Sequence, residues 1–232
     1  MPTGTLLGVL YWHNITSGVH KYYATIFRAA YHYYYQDIQE LRRPKLNTFW
    51  HSQLRIGAFT QDKGNIGGVH QNTNHFGGLV TGIKIYEYDE DSDEVCATTM
   101  HELAHSSHFE MNGSNVYEFE KTDSKIKESW ARGVQWVLTR MVYPSYLGGA
   151  RSTGDYTLIV SDMIDDTITN TKNFGYGLNI WETQDQVSGY SILELEDALY
   201  EKETWNGWRD KIISKYDNTT EANLTNLFLA YE

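Results

Sequence analysis

Cysteine is nearly missing from this chain of 232 residues, where Cys96 is the only one. A lone thiol cannot close an internal disulfide, and it says nothing about the redox state of the compartment. Proline is scarce too, at 3 residues, and the charges are spread along the chain, which argues against long disordered linkers. No run of about 20 apolar residues occurs, so no transmembrane segment is expected. Positive charge is in deficit: 19 Lys and Arg stand against 30 Asp and Glu, for a net charge of −11. Such a balance disfavours nucleic acid as a partner, since that affinity comes from Lys and Arg, and it disfavours an anionic membrane surface. The stretch from Met1 to Leu10 lacks the basic region and long apolar core of a secretory signal. Localisation stays open, with an extracellular or periplasmic setting slightly favoured and any targeting segment absent from this chain.

What is present suits one large domain or two small ones. Hydrophobic residues make up 41% and charged residues 21%, enough apolar matter for a proper core. Aromatics are abundant, with 18 Tyr and 7 Trp, residues that suit half-wet surfaces and clefts as well as cores. Repeats and low-complexity tracts are absent.

The densest chemistry lies in His101-Glu102-Leu103-Ala104-His105. On a helix, imidazoles four residues apart lie about 40° apart on one face and roughly 6 Å apart along the axis. That is a workable bite for one Zn²⁺ with Zn–N bonds of about 2.0–2.1 Å. Glu102 points beside the metal, where it can take a proton from a bound water. The context is helical. Asp89, Glu90, Asp91 and Asp93 gather between Glu87 and Glu94, where a helix dipole favours carboxylates. Asp91 with Glu94 has the spacing of a capping box. A helix is therefore expected from Ser92 to Met111, stopped by Asn112-Gly113. Cys96 falls on it as a small buried hydrophobe. At this stretch the sequence resembles the zincin metallopeptidases.

The other elements follow from pattern. A first helix is expected over Gly18 to Leu41, carrying Tyr22, Tyr23, Phe27, Tyr31, Tyr33, Tyr34 and Tyr35. These rings suit packing against a sheet better than a sugar- or peptide-binding platform. Leu54 to Thr60 has strand character. Gly64 to Gly82 reads as a mobile loop or hairpin on a cleft rim, and Ile83 to Tyr88 as a strand with alternating faces. Later helices are expected at Asp123 to Tyr143 (with Thr122 as cap), Asp155 to Ile168, Ser191 to Tyr200, Trp205 to Tyr216 and Thr220 to Ala230. Ser191 with Glu194 forms a second capping box. The fold class is α+β and zincin-like: a small N-terminal mixed sheet with helices, the metal-binding helix, and a mainly helical C-terminal lobe. The zincin resemblance implies one catalytic domain, with an upper lobe over about residues 1–112 and a lower lobe over about 113–232.

A catalytic zinc needs a third protein ligand. His108 shares a face with His101 but lies roughly 10.5 Å along the axis, too far to share the ion, so it reads as an outer-shell or packing residue. The three-histidine zincin pattern fails, because His108 stands where glycine belongs and Met111 where the third histidine belongs. Asp155, in Gly154-Asp155-Tyr156, is a faint echo of the aspartate variant. The gluzincin pattern takes a Glu from a later helix, and Glu128-Ser129-Trp130-Ala131 fits it. On that helix Ile126, Trp130, Val134, Val137 and Met141 mark one apolar face. Glu128 falls opposite, with Ala131, Gln135, Leu138 and Val142. A carboxylate on a helix buried on both sides needs a partner such as a metal ion. The competing assignment pairs Glu128 with Arg132 on a wet face. Glu110, Glu118 and Glu120 are the remaining carboxylates within reach.

The gluzincin resemblance spans about Gly82 to Tyr143. It implies Zn²⁺ on His101, His105 and Glu128, Glu102 as general base, and a peptide or protein substrate laid along the strand before the metal helix. It further implies a tyrosine or histidine near the transition-state oxyanion, with Tyr156, Tyr176 and Tyr190 as candidates. A carboxylate behind a zinc-bound imidazole would come from Asp162, Asp165 or Asp166. The alternative function is a zincin-fold protein that binds peptide or glycan with little or no turnover.

Overall fold

The computed structural model describes residues 17–44, 54–61, 63, 64, 66–70, 82–146, 154–165 and 186–232. In chain order its elements are α1 (Gly18–Tyr35), β1 (Ile56–Ala58), β2 (Gly68–His70), β3 (Ile83–Ile85), α2 (Ser92–Met111), α3 (Val116–Lys121), α4 (Ser124–Val142), α5 (Ile159–Ile164), α6 (Ile192–Leu199), α7 (Trp205–Lys215) and α8 (Leu224–Ala230). This is a mixed α+β fold with a small sheet. Among the described residues, every strand precedes α2, and every element after it is helical.

Helix α2 runs over the expected residues and occupies the centre. Fifteen of its twenty residues are buried. A helix covered on all sides needs apolar or small residues on all sides, and Val95, Ala97, Met100, Leu103 and Ala104 supply them. It packs against α1, α4, β2 and β3.

Helix α1 stops at Tyr35, not at Leu41. Gln36 takes up an extended conformation, and Gln39 and Glu40 follow with φ of 55° and 64°. Ile38 and Leu41 continue the apolar pattern from a loop, where both are buried. The tyrosine run divides. Tyr22 and Tyr33 enter the core, while Tyr23, Phe27, Tyr31 and Tyr35 stand in an exposed ridge at four-residue spacing.

The sheet has the order β1-β3-β2, with β1 parallel and β2 antiparallel to β3. Ile83 and Ile85 are buried and Lys84 is half-buried, as the alternation requires. The strands are three residues long, shorter than the patterns over Leu54 to Thr60 and Ile83 to Tyr88 imply. The glycine-rich stretch contributes β2; its residues 71–81 lie outside the described ones.

Helix α4 is capped by Asp123, whose side chain accepts from the N–H of Lys125; the expected cap, Thr122, is buried. Ile126, Trp130, Val134 and Val137 are buried on one face, and Ala131 and Leu138 on the other, while Met141 is exposed. Gly133 lets α5 approach closely: a Cβ there would lie 2.2 Å from Cγ1 of Val160. The Thr157 hydroxyl donates to the Ser129 hydroxyl at 2.7 Å, tying the same junction. Helix α5 covers only part of the expected span, and residues 166–168 lie outside the described ones. Farther along, Trp205, Trp208 and Phe228 pack together and join α7 to α8. The Ser191–Glu194 capping box forms as expected. Among the described residues, no helix is long and apolar enough to cross a membrane.

Candidate metal centre

Helix periodicity brings His101 and His105 together, and the packing of α2 on α4 adds Glu128. The two Nε2 atoms lie 3.0 Å apart, and Glu128 Oε2 lies 3.2 Å from each. These ligand atoms all fall within 4.8 Å of one another, forming a possible metal-binding triad. Burial alone would raise the Glu128 carboxyl, but hydrogen bonding to both imidazoles outweighs it and holds the group well below the usual carboxylate range. For His105 burial works downward, and hydrogen bonding to Glu128 overcomes it to push the imidazole up.

The donor set fits a cation. A tetrahedron of Zn–N bonds of about 2.0–2.1 Å separates its donors by about 3.3–3.4 Å. The spacings seen here, 3.0 and 3.2 Å, lie just inside that. Nδ1 of His101 lies 3.1 Å from Oε1 of Gln135. An amide oxygen only accepts, so Nδ1 carries a proton; Nε2 carries one too where it donates to Glu128, and it would turn a lone pair inward where a metal ion takes that proton's place. Lone pairs gathered this closely repel unless a proton or a metal ion lies among them.

Around the triad, Glu102 is buried. Burial pushes its carboxyl up against the lowering effect of His101 and His105, and Glu128 pushes it further. Strand β2 runs directly over it. The ring of His70 stacks on His105 with centroids 6.2 Å apart at 25°. Strand β3 is bonded on both sides, so the strand bordering α2 at the sheet's end is β2, not the Ile83 strand that the resemblance implies.

Of the two candidate tyrosines among the described residues, Tyr156 is the one at the centre. Its ring stacks on His101 at 5.9 Å and 22°, and burial and the nearby charge of Glu128 push its phenol up. Tyr190 is buried in the core, and Tyr176 lies outside the described residues. Asp162 accepts from the Tyr231 hydroxyl, Asp165 follows the last residue of α5, and Asp166 lies outside the described residues. Gln135 is the residue behind His101, one that sequence reasoning missed. Its only signal was its position on the Glu128 face of α4, seven residues on.

Other candidates have other work. Asp155 accepts from the Ser124 hydroxyl at the start of α4. Glu118 pairs with Lys121 at 3.0 Å on an exposed turn. Glu110 is half-buried near the end of α2, and Glu120 is exposed. His108 is buried edge-on against Phe119, and burial pulls its imidazole down to about 3, so it stays neutral as a packing residue.

Comparison of the chain with protein families, curated proteins and solved structures finds no match. Its chemistry is therefore read from the site itself: two imidazoles, one carboxylate, and a second carboxylate beside them.

Proposed function

We propose that this chain is a zinc-dependent peptidase of zincin-like architecture. One observation carries the reading: His101, His105 and Glu128 converge from two packed helices while Glu102 is buried next to His101 on the same helix, outside that cluster. A zinc ion held by the three would polarise a scissile carbonyl and acidify a bound water. Glu102 accepts the water proton and passes it to the leaving amine, and its raised pKa suits a group that must hold a proton between the two steps. Tyr156 places a hydroxyl next to the centre, in reach of a developing oxyanion. Tyr86 N–H donates to Gly67 O across the ladder at 2.8 Å. By alternation Gly68 and His70 turn their main-chain groups away from β3, where an extended peptide can pair.

The rival reading, a binder of peptide or glycan with little turnover, has one observation in its favour. The α1 ridge exposes Tyr23, Phe27, Tyr31 and Tyr35 by 44%, 71%, 48% and 68%. A binder has no use for Glu102, and that separates the two. Zinc content and cleavage of a mixed peptide library are measured for wild type and Glu102→Gln. The expected result is equal zinc and a cleavage rate lower by about 10²–10⁴-fold. Wild-type cleavage in the variant refutes the mechanism. Zinc binding without any cleavage by wild type favours the binder.

A further inference from the structure

Tyr156 lies between α4 and α5, outside any helix, and it is 41% exposed. Core packing alone does not fix such a ring, yet it stacks on His101. The main chain on either side of it is what is held. The Ser129 hydroxyl donates to the carbonyl of Asp155 at 3.1 Å. It accepts twice from Thr157, from the hydroxyl at 2.7 Å and from the N–H at 3.3 Å. A hydroxyl has one proton to give and two lone pairs, so this one is used in full. Ser129 and Thr157 are both buried, which keeps water from competing. One side chain of α4 thus grips the residue before Tyr156 and the residue after it.

The grip continues in both directions. The Asp155 carboxylate accepts from the Ser124 hydroxyl, and Thr157 Oγ1 accepts from the N–H of Ile159, the first residue of α5, at 3.4 Å. Gly133, four residues beyond Ser129 and on the same face of α4, is where Val160 comes closest. Residues 155–160 therefore lie along the Ser129–Gly133 face. Glu128 is the neighbour of Ser129, about 100° round the helix, and reaches His101 and His105 on α2. Helix α4 carries both the carboxylate of the triad and the seat of Tyr156, so a shift of α4 moves the two together.

We propose that Ser129 is a positioning residue of the centre: by holding Asp155 and Thr157 it sets where the Tyr156 ring stands against His101. The catalytic consequence rests on the peptidase reading, in which Tyr156 serves the oxyanion; the seating of the ring does not. In Ser129→Ala the Asp155 carbonyl and the Thr157 hydroxyl and N–H lose their common partner. The main chain at 155–157 can then part from α4, and the half-covered ring goes with it. His101 and His105 stand on α2 and keep their places. A role confined to packing α5 on α4 would be indifferent to the side chain at 156, and that separates the two.

NMR of metal-free full-length protein reads the seating. Wild type is expected to show cross-relaxation between the ring protons of Tyr156 and His101, and between those of His101 and His105, whose centroids are 4.7 Å apart. Ser129→Ala should lose the first signal and keep the second, the mark of an intact fold. Thr157→Val keeps the Ser129 hydroxyl but removes its shortest bond, and it should weaken the first signal alone. If Ser129→Ala loses both, Thr157→Val decides. An undiminished Tyr156–His101 signal in either variant overturns the proposal. Peptide cleavage by zinc-loaded protein is the second measurement. Tyr156→Phe should lower kcat by about 10²–10³-fold, as loss of an oxyanion donor does. Ser129→Ala should lower kcat by at most about 10²-fold at unchanged KM, as a misplaced group does. Added to Tyr156→Phe, it should lower kcat no further. Losses that multiply show that Ser129 does not act through Tyr156, and overturn the proposal. Seating that responds as expected in a protein that cleaves no peptide upholds the role of Ser129 and refutes the peptidase reading alone.

Discussion

The backbone of Gly68 passes so close over the carboxyl of Glu102 that a Cβ there would sit 2.5 Å from Oε1 and 2.8 Å from Cγ. The contact reaches back to Cγ, so a side chain at 68 cannot be accommodated by swinging the carboxylate tip alone. Strand β2 is held in place by its bonding to β3, and Glu102 is the part that must give. In Gly68→Ala the base is displaced while His101, His105 and Glu128 keep their places. Zinc content is expected to be unchanged and turnover lower by about 10²-fold, the usual cost of a misplacement near 1 Å. Overpacking should lower stability by about 1–3 kcal/mol. Zinc analysis, kinetics and a denaturant melt on one preparation separate these effects, and wild-type turnover would show that Gly68 leaves the base where it is.

Glu128→Ala removes one of three donors and leaves two imidazoles on α2. Affinity for zinc should fall by more than the about 10–100-fold typical of an outer-shell partner. Chelator competition reads this directly, and undiminished zinc in the variant would remove Glu128 from the centre without touching His101 or His105.

Gly133→Ala tests the α4–α5 junction, far less a matter of chemistry than of space. The added methyl would meet the β-branched Val160 at 2.2 Å, close to its backbone and unable to swing aside. A loss of about 1–3 kcal/mol in a urea melt is expected from overpacking. Alanine has the better helix propensity, so a stabilised variant would mean that α5 slides freely on α4.

Glu196 makes stability depend on pH. Its carboxylate on α6 accepts the N–H of Arg42 at 3.0 and 3.1 Å, and it is only 3% exposed. Burial raises its pKa from 4.5 to about 7, against the lowering effect of that N–H and of the Arg42 charge. The folded chain then holds this proton more tightly than the unfolded chain does. The group's contribution is fully present below pH 4.5 and is lost as pH climbs to about 7, at most about 3 kcal/mol. In Glu196→Gln that loss is absent. Variant and wild type should melt alike near pH 4.5, with the variant gaining steadily to pH 8. A constant difference across that range would show that Glu196 does not titrate as its burial demands.

The parts of the centre that were legible in the sequence are those set by spacing along one helix. HExxH and its boundaries at Asp91 and Asn112 lie within a single element, and Glu128 carries an ExxA context. Gln135 was not legible because its role exists only across the α2–α4 interface, where a neutral amide leaves no pattern. The Asp91–Glu94 spacing suits a local capping box, but Asp91 caps α2 without a side-chain bond. Helix α3 was missed because six residues are too few to show a period; only Asn115, which accepts from the N–H groups of Tyr117 and Glu118, marks its start. The end of α1 was overrun because Ile38 and Leu41 bury themselves from a loop and mimic the next helical turn.

The enclosure of α2 has a consequence for how the centre can be lost. Local opening of a protein begins where few contacts are buried, and α2 is the opposite of such a place. Its amide hydrogens should be among the last to exchange with solvent, and the two histidines should leave their register only when the whole domain opens. Fraying of α8 or of the exposed α3 would pass unnoticed at the ligands. Retention of metal during a slow denaturant ramp would then report the global unfolding event.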